Sequence, residues 1–136
     1  MPRLSVWFVR ASMVYMLIGF TFGALMLAQN GISYYPAIAA VLPIHMEFLL
    51  VGWLVQLAMG VAFWIFPRFG WGLPKSRGNE ELIWISFWML NMGVWLAALG
   101  LWFPAALLAG RVLEVAAVVL YAMGSWRRVK PHGAPA

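Results

Sequence analysis

The chain has 136 residues, 65% of them hydrophobic and 10% charged, with a mean hydropathy of +0.88. A soluble domain of that length has too little interior to hide so much apolar surface, so the solvent it implies is a lipid bilayer. Its net charge of +5 gathers at segment ends, which excludes a nucleic-acid-binding face, and its lack of cysteine excludes disulfides and thiolate metal sites.

Four apolar runs follow in order: about 11–28, 37–66, 82–103 and 104–124. Each is close to the ~20 residues a helix needs to cross hydrocarbon. Helices are expected, because lipid cannot satisfy an open backbone. The first run carries Gly19 and Gly23, a Gly-xxx-Gly packing face. It is long and lacks a small-residue cleavage site, so it reads as a helix rather than a leader. The second run is overlong, with Pro36 and Pro43 marking its entry and part of it placed in the interface. The third repeats Ser86, Gly93 and Gly100 at a spacing of seven, a stripe for close approach. Residues 125–136 read as a disordered tail with an exposed His132.

Arg3 and Arg10 precede the first run, Arg68, Lys75 and Arg77 join the second to the third, and Arg127, Arg128 and Lys130 follow the fourth. The connections "QNGISYYP" and "WFP" carry no charge. The positive-inside rule then places both termini and the middle loop in the cytoplasm. The expected protein is an all-α integral membrane protein: a single four-helix domain, 1–136, multi-pass in the inner membrane of a prokaryote.

Ionisable groups inside hydrocarbon are costly, so each needs a reason. The runs hold His45, Glu47, Arg111 and Glu114, with the neutral polar groups Gln56 and Asn91. His45, Leu49, Gly52, Gln56, Gly60 and Phe63 recur every three or four residues, which predicts one helix face. That face suits either a closely packed helix or a planar cofactor whose iron takes a His45 nitrogen. Glu47 lies about 200° round the helix from His45. It is expected at the interface, hydrated or paired across a subunit contact, or acting as a proton carrier. Arg111 and Glu114, three apart, are set to pair on one helix. Alternatively Arg111 faces an acidic ligand such as a haem propionate.

His45, the stretch "GWLVQLAMGVAFWIFPR" (52–68) and "ISFWMLNMG" (85–93) together resemble helices two and three of the catalytic subunit of haem-copper oxidases and nitric oxide reductases. The resemblance spans the four helices, about a third of a superfamily member. It implies a low-spin haem ligated by a His near the outer end of helix two, here His45. The helix then ends at Phe66-Pro67-Arg68, and Ser86-Phe87-Trp88 opens helix three. The later histidines that hold copper and a second haem have no counterpart, so the resemblance does not imply an oxidase.

Three functions follow as expectations. The first is a haem b protein for electron transfer or sensing. His45 is the axial ligand, Gly52, Gln56 and Gly60 line the macrocycle, Arg111 holds a propionate, and Trp53 and Trp64 wall the pocket. One interior His supplies one ligand, so a homo-oligomer is expected, with a respiratory-chain partner; the resemblance, in which twelve helices form three four-helix arcs, implies a trimer before a dimer. The second is a structural or assembly subunit of a respiratory complex. The third is a small proton-coupled transporter using Glu47 or Glu114.

Overall fold

The computed structural model describes residues 1–67, 77 and 79–129. It contains four helices long and apolar enough to cross a membrane. We label them α1 (Arg3–Gly31), α2 (Pro36–Ile65), α3 (Glu80–Leu99) and α4 (Pro104–Ser125). Arg68, Lys75, Lys130 and His132 lie outside the described residues.

Local signals set the ends. Gln29 Oε1 accepts from the backbone N–H of Tyr34 (3.0 Å) and Tyr35 (2.6 Å), which turns the chain out of α1. Pro36 and Pro104 open α2 and α4, where a missing N–H costs nothing. Asn79 caps α3 by accepting from the N–H of Leu82 at 3.3 Å, and Glu80 and Glu81 in the first turn suit the helix dipole. The helix therefore starts two residues before the apolar run. α1 starts eight residues before its expected bound at Ala11, because Leu4, Ser5 and Phe8 are buried on its inner side while Arg10 points away.

α2 is not uniform. A 3-10 entry, Pro36–Val41, leads to an α-helical turn, Leu42–Glu47, then a π-helical stretch, Phe48–Val55, then α-helix again, Gln56–Ile65. The expected disordered tail is corrected in its described part: Ser125 is helical and buried, and Trp126–Arg128 form a 3-10 turn.

The helices run up and down as two hairpins, α1–α2 and α3–α4. Small residues set both contacts. A Cβ on Gly19 would lie 2.6 Å from Leu49 Cδ2, and one on Gly110 would lie 2.5 Å from the Ala97 nitrogen. Gly93 and Gly100 also face α4, against Glu114 and Leu107. Ser86 Oγ donates to the Ala117 carbonyl at 2.7 Å on the same contact. The glycine and serine stripes are thus helix–helix seams, as close approach between membrane helices requires.

The core has two apolar clusters. One, at the end bearing both termini, gathers Leu4, Phe8, Phe63, Ile83 and Phe87. The other, at the opposite end, gathers Tyr15, Ile44, Phe48, Val94 and Ala98. Outside, Leu17, Trp88, Leu108 and Met123 are exposed, an outer surface suited to lipid.

Candidate functional site: two polar centres on opposite sides of α2

His45 lies against α1. Its Nδ1 is 2.7 Å from the Gly19 carbonyl oxygen. A carbonyl only accepts, so Nδ1 carries a proton, which in the neutral ring leaves the lone pair on Nε2. The ring rests on Gly23, where an added Cβ would lie 2.7 Å from Cε1. The described residues give Nε2 no hydrogen-bond partner. A backbone-anchored Nδ1–H with a bare Nε2 is the arrangement that orients a metal-binding imidazole.

The rest of the expected face does not remain open. A Cβ on Gly52 would lie 2.6 Å from Tyr15 Cγ, and one on Gly60 would lie 2.6 Å from Phe8 Cβ. Both glycines are occupied by α1. Gln56 is fully buried and turned to α3, donating from Nε2 to Asn91 Oδ1 at 3.4 Å. Tyr15 Oη donates to the same oxygen at 3.0 Å, and Asn91 Nδ2 donates to its own helix at the Phe87 carbonyl, 2.7 Å. Trp53 stacks edge-on against Phe20, and Trp64 stands half-exposed at the outside.

Glu47 faces the other way and meets α4. It is only 5% exposed, and its ion-pair partner, Arg111, lies in the same chain. Its Oε2 accepts from Arg111 Nη2 at 2.6 Å, while Arg111 Nη1 donates to Glu114 Oε2 at 2.7 Å. The expected Arg111–Glu114 pair exists, enlarged by a second carboxylate. α2 therefore stands between His45 and Arg111, and the two do not converge on one pocket.

A haem ligated by His45 needs an axial nitrogen, a flat space and a cation for its propionates. The axial nitrogen fits. The flat space does not: within one chain Tyr15 and Phe8 fill it, and Arg111 serves two glutamates across the helix. Among the described residues no cluster of three or more His, Asp or Glu side chains could hold a metal ion.

Two further polar contacts tie α2 to α4. Tyr121 Oη donates to the Met59 carbonyl at 2.7 Å. Arg128, fully buried, donates to the carbonyls of Phe63 (2.8 Å), Phe66 (2.8 Å) and Pro67 (3.1 Å) at the end of α2. Its guanidinium also lies 4.6 Å from the centre of the Phe63 ring. In the sequence Arg128 is one of several basic residues after the last run, and nothing local separates it from Arg127.

The fold is that of a four-helix, multi-pass membrane-type protein. No family model, no curated protein and no solved structure matches the chain.

Proposed function

We propose that this is a membrane subunit of the haem-copper oxidase type that binds haem b between copies of itself, with His45 as an axial ligand through Nε2. The observation that carries the reading is the His45 ring, whose Nδ1–H is fixed on the Gly19 carbonyl and whose Nε2 has no partner among the described residues. The position of this His, in the first half of a helix that closes on Phe66-Pro67, is what the sequence resemblance implies for a haem ligand. Because α1 covers Gly52 and Gly60, the macrocycle belongs outside the single four-helix unit. A second axial ligand and a wall then come from another chain, in a trimer before a dimer. Such a protein carries electrons or senses redox state or gas, and it is not an oxidase alone. In this reading both termini face the cytoplasm of a prokaryotic cell, and His45 lies toward the outer surface of the inner membrane.

The test is an optical spectrum of the dithionite-reduced protein, purified in mild detergent, together with its native mass. A Soret band that travels with an oligomer and disappears in His45→Ala supports the reading. A folded oligomer that stays colourless after haem is added refutes it.

A second reading is favoured by the glycine contacts: a structural or assembly subunit of a respiratory complex. Every glycine of the α2 face is used in packing against α1, which a purely architectural helix pair needs. This subunit would copurify with partner proteins and keep them in His45→Ala.

A further inference from the structure

A groove runs along the outside of the bundle between the first turns of α1 and the middle of α3. It holds about 610 Å³ and is lined by Trp7, Arg10 and Val14 of α1 and by Trp88, Asn91 and Leu96 of α3, among others. Neither His45 nor the cluster around Arg111 borders it. One charge stands in this otherwise apolar lining. Arg10 is exposed, and among the described residues no carboxylate pairs with it, since Glu47 and Glu114 both serve Arg111.

The arginine does not sit at the rim of the bundle. Phe8 meets Phe87 with ring centres 5.0 Å apart, so Arg10, two residues further along α1, lies level with the part of α3 around and beyond Phe87. Phe87 follows the start of α3 at Glu80 by seven residues, about 10 Å by helix rise and about a third of the helix. A guanidinium at that depth in a membrane either meets an anion or reaches back to the headgroups. Side chains on a helix lean toward its N-terminus, so Arg10 is set to reach back along the groove toward the end that bears both termini.

The remaining polar groups of the groove call for the same kind of occupant. Asn91 Oδ1 already accepts from Tyr15 and Gln56, whereas Asn91 Nδ2 uses one of its two hydrogens, on the Phe87 carbonyl. The indoles of Trp7 and Trp88 and the guanidinium of Arg10 carry donors and no acceptor. The groove thus offers donors and one positive charge, over walls of hydrocarbon and indole. Its complement is negative and rich in oxygen acceptors at one end, and hydrocarbon beyond. A second copy of the chain is a poorer complement. Each copy carries a net charge of +5 and, in a shared orientation, brings the same basic end to the contact.

We propose that the α1–α3 groove binds one anionic phospholipid, with the phosphate on Arg10 and an acyl chain lying along the groove toward Trp95 and Leu96. A guanidinium meets a phosphate through two parallel hydrogen bonds, a match that a neutral side chain does not offer. Trp7 is half-exposed and nearly one turn closer to the start of α1, where an indole anchors at headgroup level. The wall formed by α3 runs nine positions, from Phe87 to Leu96, about 13 Å by helix rise. That is close to the ~15 Å of hydrocarbon in one leaflet, so the groove takes a chain nearly along its length.

The test is native mass spectrometry of the delipidated full chain in mild detergent, titrated with phosphatidylglycerol or with phosphatidylcholine of the same acyl chains. One phosphatidylglycerol per chain is expected to be retained about fivefold better than phosphatidylcholine, or more. Arg10→Gln should remove that preference, and Arg127→Gln, at an exposed arginine of the same end, should keep it. Excess glycerol phosphate, which has the charge but no chains, should not displace the lipid. Equal retention of the two lipids by the wild type overturns the proposal, and so does a preference that survives Arg10→Gln or is lost equally in Arg127→Gln. Displacement by glycerol phosphate also overturns it, because the groove would then hold no chain. Lipid-free dimers that dissociate in Arg10→Gln would give the groove to a second copy instead. The measurement involves neither haem nor His45, so it stands or falls separately from the reading of that residue.

Discussion

Arg128→Ala should be the most damaging single truncation at the end of the bundle that carries both termini. The last carbonyls of a helix have no partner inside it, and Arg128 satisfies one of these in α2, at Phe63, and the two that follow the helix, at Phe66 and Pro67. A hydrogen bond from a charged donor contributes about 1.5 kcal/mol or more, so three give roughly 4–5 kcal/mol. Water reaching a helix end recovers part of this, and the net cost expected is about 3 kcal/mol. Arg128→Lys should recover only a fraction, because an ammonium lacks the planar fork that reaches several carbonyls at once. Arg127 is exposed in the same turn and gives the control: Arg127→Ala should change stability by less than about 0.5 kcal/mol. Denaturant titration of the detergent-solubilised protein, followed by helical ellipticity, measures all three. If Arg128→Ala loses no more than Arg127→Ala, the carbonyl cap is not what holds the end of α2 to α4.

The glycine seams give a second expectation. Gly52→Ala puts a Cβ 2.6 Å from Tyr15 Cγ, and the Tyr15 ring is held by its bond to Asn91, so a loss of about 1–3 kcal/mol is expected in the same titration. Gly31→Ala, with no atom within 4 Å of the new Cβ, should be neutral or mildly stabilising. Orientation is testable without background, because the chain has no cysteine. Ser33→Cys, in the exposed α1–α2 connection, should react with an impermeant maleimide on intact cells, and Pro2→Cys only after the membrane is opened.

The existence and order of the four helices were legible because length and hydropathy are properties of one segment at a time. The seams at Gly19, Gly23, Ser86 and Gly93 were legible for a similar reason: small residues at helical spacing signal a close neighbour whichever helix it is. What could not be read is which helix covers which face. The helical period put Glu47 opposite His45, and that is where it lies. Which neighbour meets that face could not be read: α4 packs there and buries the carboxylate against Arg111. Arg128 fails for the same reason. Counting charges gives it a side of the membrane, but its burial depends on the end of α4 meeting the end of α2.

Gln56 was misplaced by a different cause, and it bears on both polar centres. A constant period of 3.6 puts Gln56 on the face of His45, whereas its amide is turned to Asn91 of α3. At about 100° per residue, the nine positions from Glu47 to Gln56 would turn the helix by two and a half turns and set the two side chains on opposite faces. Eight of those positions, Phe48–Val55, are π-helical, with bonds reaching one residue further and hence a smaller rotation per residue. The shortfall swings Gln56 back toward the side that Glu47 occupies, so Glu47 and Gln56 both meet the α3–α4 hairpin. His45, before the π-helical stretch, keeps its place on α1. The irregular stretch thus lets one helix present an imidazole to one neighbour and a carboxylate and an amide to the other hairpin. Restoring regular pitch there, by deleting one residue within Phe48–Val55, would have to take either Glu47 from Arg111 or Gln56 from Asn91.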